Sequence, residues 1–309
     1  MNTVALPKLT SLRLELDTSD AAFGELRRSD DIANDGAALR VRMQEDGYLY
    51  LPGLLDVAQV RSARQYVVDR LAELGCLDES FPRMEAVSVA GKGNAWMPDK
   101  LAHENKALLK LLYTGPMMEF YERFLGGTVR HYDYTWFRSI PGGASGTYPH
   151  TDVVYMGRGT FNLYTSWTPL GDIPLEVGGL MILEGSHRQR EKLRNYLSRD
   201  VDTYCTNRDD AVDIATGQKQ WQDWDGRLSS DPVSLREKLG GRWLTTDFRM
   251  GDVLAFTMAT VHASLDNQTN RYRLSSDSRY QLASEPVDER WIGENPIAHG
   301  PAGKRGKIC

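Results

Sequence analysis

The chain has 309 residues, 41% hydrophobic and 26% charged, with a formal net charge of −5. That is enough apolar material for a sizeable core, although length alone leaves one domain or two open. The acidic balance argues against a nucleic-acid partner, which favours a basic face. No apolar run reaches the length of a bilayer-spanning helix.

Residues 1–36 are polar and weakly patterned, which predicts an N-terminal arm. Met1 to Leu16 holds Lys8 and Arg13 and no uninterrupted apolar signal core, so no export is expected. A helix is expected over about 37–45, then a strand at Gly47–Leu51. Asp56 is placed as an N-cap with Gly75 past the far end of a second helix. Between them Val57, Val60, Ala63, Val67, Leu71 and Leu74 form one apolar stripe, suited to packing outside a sheet. Two more helices, about 104–113 and 116–125, are split by Gly115-Pro116 and ended by Gly126-Gly127.

From Thr128 the texture turns to strands and Gly/Pro turns. Val129–Ile140, Phe161–Thr168, Leu180–Leu183 and Asp252–Val261 all suit strands. In the last, Leu254, Phe256 and Met258 share one face and Ala255, Thr257 and Ala259 the other. That asymmetry predicts a packed outer layer over the large residues and a cavity beside the small ones. Such a run of strands fits a sandwich or jelly roll. The expected organisation is an arm (1–36), one domain (37–290) and a tail (291–309). A long polar insertion lies at about 196–245. Its Trp221 and Trp224 suit either a lid over a site or pins for a surface excursion. Cys76, Cys205 and Cys309 are an odd count without C-x-x-C spacing, which predicts free thiols in a reducing, cytoplasmic setting.

The chemistry-bearing pattern is His150-Thr151-Asp152, then His262, then Arg273-Leu274-Ser275. Residues two apart project from the same side of an extended chain. A second His from a distant strand would complete a two-histidine, one-carboxylate face. That set suits iron(II), because three positions stay open for oxygen and a cosubstrate. Arg273 and Ser275 share a strand face, and a guanidinium beside a hydroxyl receives a carboxylate well. Arg271 has the same parity and is the rival for that role. Any one of these histidines alone would more often be structural; the ordered combination carries the reading.

These segments resemble the phytanoyl-CoA hydroxylase (PhyH) family of iron(II)/2-oxoglutarate-dependent dioxygenases. The likeness covers roughly residues 40–282. It rests on Gly47–Leu55, Pro149–Asp152, Ser166–Leu170, Gly178–His187 and Gly251–Phe256, with His262 and Arg273–Ser275. Glu184 departs from the family's usual Pro before the Gly-Ser-His turn. The resemblance implies a double-stranded β-helix, cupin-like jelly-roll core with the N-terminal helices packed outside. It implies a metal held by His150, Asp152 and His262, 2-oxoglutarate held by Arg273 and Ser275 beside Trp167, and molecular oxygen as cosubstrate. The expected reaction is hydroxylation, or a related oxidation, of an unactivated C–H bond in a small organic molecule, with release of succinate and carbon dioxide. The family's halogenating relatives replace the carboxylate ligand with a small residue, so Asp152 disfavours halogenation. Tyr155, Met156 and Arg158 are candidates for the substrate side, with Trp221 and Trp224. An acyl-CoA thioester is the alternative substrate class, and a non-catalytic or non-redox cupin-like metal-binding protein the alternative function.

Overall fold

The computed structural model describes residues 8–92, 100–219 and 224–309. The first described segment is not a loose arm. β1 (Thr10–Ser11) and β2 (Leu14–Glu15) form a small hairpin, and β3 (Phe23–Glu25) joins a larger sheet. Leu9, Leu16, Phe23 and Leu26 are buried. Average polarity concealed these four anchors, each of which fills a gap in the core.

Helices come next, as the caps predict. α1 (Gly36–Asp46) starts at Asp35, whose carboxylate accepts the amides of Ala37 and Ala38. It stops at Gly47, whose φ of +77° favours glycine, and a Cβ there would meet the His187 ring at 2.3 Å. β4 (Tyr48–Leu51) follows, then α2 (Val57–Glu73), capped by Asp56 through the Gln59 amide at 2.9 Å. Val60, Ala63, Val67 and Leu71 are buried as expected, while Val57 and Leu74 at the helix ends are exposed. α3 (Lys100–His103), α4 (Lys106–Tyr113) and α5 (Pro116–Leu125) complete this layer.

The strands are β5 (Val129–His131), β6 (Trp136–Ile140), β7 (Tyr164–Pro169) and β8 (Leu180–Leu183). A short helix α6 (Val153–Met156) sits between β6 and β7. The insertion carries α7 (Arg194–Leu197), β9 (Thr203–Cys205), α8 (Ala211–Ala215) and α9 (Pro232–Leu239). β10 (Trp243–Thr245), β11 (Val253–Thr257), β12 (His262–Ser264), β13 (Arg273–Leu282) and β14 (Arg305–Lys307) finish the chain. One sheet runs β4-β11-β7-β13-β5, with β6 also on β13; the other runs β12-β8-β10-β3. Tyr50, Trp167, Leu254 and Phe256 of the first pack against Leu180, Ile182 and Leu244 of the second. This is the expected double-stranded β-helix core, built as two facing sheets rather than a closed barrel. The helices cover the outer face of the larger sheet, where they bury Leu49, Ala255, Leu274 and Tyr280.

Five expectations need correction. Asp252–Val261 is not one strand, because the chain turns after Thr257 and β12 crosses to the other sheet. The two faces of β11 are also reversed. Leu254 and Phe256 fill the space between the sheets, and Ala255 is small because helices press on it from outside. The insertion ends before Trp243, since β10 pairs with both β8 and β3. Finally, the tail is integral and two cysteines are joined. β14 runs parallel to β9, which brings Cys309 beside Cys205 (Cα–Cα 5.4 Å) in a disulfide; Cys76 is free and buried. Among the described residues no helix is long and apolar enough to cross a membrane.

Candidate metal centre and cavity

His150 and His262 face each other across an antiparallel bridge. Each backbone amide donates to the other's carbonyl at 3.0 Å. Residues so paired project to one side, and the ring centroids lie 4.1 Å apart. Asp152, at the start of α6, brings its carboxylate to the same point. One ligand atom from each of the three lies within 4.8 Å of the others, and all three residues are buried.

Each side chain is held from behind. His150 Nδ1 sits 2.7 Å from the Tyr148 carbonyl and His262 Nδ1 3.0 Å from the Thr260 carbonyl. With Nδ1 as the donor, Nε2 is the electron-pair donor on both rings. Asp152 Oδ1 lies 3.8 Å from His262 Nε2, while Oδ2 accepts from the Thr165 hydroxyl and from Arg279 Nη2 at 3.2 Å. Burial pushes His150 down to about 3, aided by the neighbouring His262. Burial also lowers His262, against the pull of Asp152. For Asp152, burial pushes upward, but Arg279, the two imidazoles and Thr165 together hold the carboxyl below its ordinary range. Two neutral imidazoles and one carboxylate, with other positions left open, are a donor set that suits a divalent iron ion, so the residues present fit that metal.

The alternation of β13 sends Arg273, Ser275, Asp277 and Arg279 inward in one row. Arg279 lies over the Trp136 ring, 4.2 Å from its centroid, and Asp277 pairs with Arg138 at 2.8 Å. Arg273 is 1% exposed, and Nη1 donates to the Gly178 carbonyl at 2.7 Å. Burial, with the charge of Arg138, pulls its guanidinium down to about 9 against the effect of Asp277. Among the described residues, Arg273 Nε, Ser275 Oγ and Trp167 Nε1 are buried with no hydrogen-bond partner. Buried polar atoms are costly unless paired, and these three fit the carboxylate end of a bound oxo acid. Arg271 instead lies at the surface, paired with Glu85 at 2.9 Å.

A cavity of about 440 Å³ opens beside His150 and Asp152. Tyr155 and Met156 line it with Trp136, Arg138 and Arg227. Arg158 turns away, bonded to Asp200 at 2.7 Å and to the Gly303 carbonyl at 2.6 Å. Trp224 is not in the lining: its Nε1 donates to the Arg227 carbonyl and Arg199 lies 3.5 Å over its ring. Trp221 lies outside the described residues. Glu184, the departure in the turn motif, pairs with Arg242 at 2.8 and 2.9 Å and so ties the turn to the start of β10.

Sequence reasoning missed several groups at this site. Arg279 shares the strand parity of Arg273, and that was its only signal. His299, from the supposed tail, lines the cavity with Nδ1 2.8 Å from Asp202. Asp202 is wholly buried and also meets Arg290 and Lys304. Burial pushes it up, but His299 and the two cations hold it down to about 2. Nothing in the sequence around His299 or Asp202 announces this contact.

The model of the phytanoyl-CoA dioxygenase (PhyH) family matches residues 43–275, and the chain belongs to that family. It is a non-haem iron(II)/2-oxoglutarate-dependent oxygenase, with iron(II), 2-oxoglutarate and molecular oxygen as its cofactors. A 1-deoxypentalenic acid 11-beta-hydroxylase of Streptomyces exfoliatus is 25% identical over 266 residues, 82% of this chain and 83% of that one. Among solved structures, the α-ketoglutarate-dependent epimerase SnoN of nogalamycin biosynthesis superposes with a TM-score of 0.54. It is 18% identical, over 85% of this chain and 93% of that one. The carbocyclase SnoK of the same biosynthesis gives 0.55 at 17% identity, over 81% and 85%. At such identities these structures speak for the fold.

Proposed function

We propose that His150, Asp152 and His262 hold the iron, and that Arg273 and Ser275, beside Trp167, bind the distal carboxylate of 2-oxoglutarate. The observation that carries this reading is the coincidence of two things. Three buried ligand atoms converge, and three buried polar atoms without partners lie on the adjoining interior face. When bound, the iron and oxo acid supply the oxidising equivalent that breaks a substrate C–H bond. Thr165 and Arg279 keep the Asp152 carboxylate oriented and ionised. The carbonyls behind each imidazole fix its tautomer. Arg273 orients the oxo acid by charge, and the paired sheets exclude water.

The substrate we favour is a compact, largely apolar molecule bearing a polar or anionic group. Trp136, Tyr155 and Met156 offer apolar walls, and the Arg227 guanidinium, ion-paired with Asp225 and lying over the Tyr148 ring, offers polar donors. The cavity volume falls within the range usual for small-molecule sites. The relative named for 1-deoxypentalenic acid supports such a substrate over an acyl-CoA thioester. We place the reaction in the cytoplasm, where iron(II) and 2-oxoglutarate are both available. The Cys205–Cys309 link, with Cys309 exposed and Cys205 half-buried, would there be open to thiol reduction. The insertion fits the role of lid. Leu228 N–H donates to the Pro149 carbonyl beside His150, and Tyr155 and Tyr196 donate to the Asp225 and Gly226 carbonyls at 2.8 and 2.7 Å.

The test is succinate release from the iron(II)-loaded enzyme with 1-deoxypentalenic acid, other polycyclic acids and an acyl-CoA, each with its product analysed. Release coupled to a hydroxylated small acid supports the reading. Coupling to the thioester alone would overturn the substrate class, and no iron-dependent release with any of them would count against the ligand assignment.

A further inference from the structure

We propose that Cys309 is a thiol-exchange site. A small acidic thiol enters the pocket around the Cys205–Cys309 disulfide, opens the link at Cys309, and so releases the segment that carries His299 into the cavity wall. The consequence for substrate rests on the reading of that cavity given above; the exchange site itself does not.

The disulfide lies in a pocket of its own. A second cavity, of about 400 Å³, is lined by Cys205 and Cys309 together with Arg199, Asp200, Trp224 and Lys307. Cys309 is exposed and Cys205 half-buried, so an incoming thiolate meets the Cys309 sulfur first. Arg199 lies 3.5 Å over the Trp224 ring, and Lys307 on the exposed β14 brings a second cation. Asp200, the acid in this wall, is taken up by Arg158 at 2.7 Å. Two cations beside the disulfide favour a thiol that carries a carboxylate.

What the link fastens is the wall of the other cavity. Asp202, three residues before Cys205, accepts the Arg305 amide on its carbonyl at 2.9 Å. Its carboxylate accepts from His299 Nδ1 at 2.8 Å and from Lys304 Nζ at 3.2 Å. His299 lines the cavity beside His150 and Asp152. Trp224 donates to the Arg227 carbonyl at 2.7 Å, and Arg227 lines that cavity too. The link joins residues 104 positions apart. Once it opens, the end of the segment is held by a three-residue pairing of β14 with β9, a length that frays. Asp152, His262 and Arg273 belong to the start of α6, to β12 and to β13, which carry no part of the link.

The exchange balances. The thiolate sulfur bonds to Cys309 Sγ as the Sγ–Sγ bond breaks, and the electron pair leaves on Cys205 Sγ, which takes a proton from water. A second thiolate attacks the small thiol's sulfur in the mixed disulfide and frees Cys309 as a thiolate, protonated in turn. Two small thiols are oxidised to their disulfide, and the Cys205–Cys309 link takes up the two electrons.

The experiment uses the full chain. It is exposed at low ionic strength to 3-mercaptopropionate or to cysteamine, quenched in acid, and mapped by fragmentation mass spectrometry. Each rate is taken relative to that thiol's rate on an uncharged model disulfide. The expected adduct is on Cys309, with the acidic thiol favoured about tenfold, the low end of electrostatic steering, and less so in Lys307→Gln. Protein fully reduced and then alkylated should show faster amide hydrogen exchange over 298–304, with 273–282 still protected. Cys309→Ser should show the same pattern with no thiol added. Loaded anaerobically with iron(II) and 2-oxoglutarate, the reduced protein should keep the visible band of the untreated one. An adduct on Cys205, or equal relative rates for the two thiols, overturns the exchange site. Exchange that quickens only over 305–309, or a band lost only on reduction, overturns the selective release of His299. A band absent from the untreated protein is a different failure, of the underlying metal site.

Discussion

Asp152 shows how much of this site depends on groups outside the metal's own donor set. One oxygen faces His262 while the other is fixed by Thr165 and Arg279. Replacing His150 or His262 with Ala removes one of only three protein donors, and iron binding measured by equilibrium dialysis should be abolished. Arg279→Met should act less severely. It leaves all donors in place but frees the carboxylate, and losses of this kind cost about 10- to 100-fold in metal affinity. Full iron affinity in Arg279→Met would mean that Thr165 alone orients Asp152. At the oxo-acid end, Arg273→Leu should raise the 2-oxoglutarate requirement far more than the iron requirement. Loss of a sheltered charge pair is worth about 2–5 kcal/mol, roughly 30-fold or more in affinity. Arg271→Leu should change little, since its partner is Glu85 at the surface. A reversal of those two effects, read from saturation curves for the oxo acid, would move the clamp to Arg271.

At the scale of elements, the sequence was informative where function or capping depends on local spacing. The H-x-D triplet, the R-x-S pair and the cap at Asp56 all act within a few residues; the cap is where spacing puts it, and His150, Asp152 and His262 do converge, although Asp152 stands at the start of α6 rather than on an extended strand. What it concealed depends on long-range pairing. Ala255 is small because α-helices press on the sheet from that side, and no feature of β11 tells inside from outside. β3 is a three-residue strand paired only along β10, and β10 in turn is held between β3 and β8, all far apart in sequence. His299 reaches the cavity because Asp202, almost a hundred positions earlier, anchors it. The Asp225–Arg227 turn offers a test of the insertion as a lid. Gly226 has φ of +92° and no room for a side chain against Tyr155. Gly226→Ala should therefore strain or displace the turn, at a cost of about 1–3 kcal/mol for such a backbone. The expected signs are faster proteolysis within the insertion and more succinate released per hydroxylated product, with iron affinity little changed. If cleavage and coupling both stay at the wild-type level, the turn does not close the cavity.

Over the whole molecule, two sheets bring together side chains from segments far apart in sequence. β13 carries Arg273, Ser275 and Arg279, the bridge from His150 to the first residue of β12 sets the two imidazoles side by side, and the C-terminal segment brings His299 to the cavity wall. The Cys205–Cys309 link ties that last segment to the insertion. Reduction of the disulfide should loosen β14 from β9, seen as faster amide hydrogen exchange over 203–205 and 305–307, and leave β7 and β13 protected. Uniform exchange across all four strands on reduction would show that the link holds the whole domain rather than its edge. The account as a whole turns on iron and oxo acid meeting at one buried point. Its most direct test is an anaerobic titration of iron(II) into the protein with 2-oxoglutarate present, followed by visible absorption. The account predicts a band that saturates at one iron per chain, is lost in His150→Ala and His262→Ala, and in Arg273→Leu returns only at much higher oxo-acid concentration. A band of full strength in either histidine variant, or none in the wild-type protein, would contradict it.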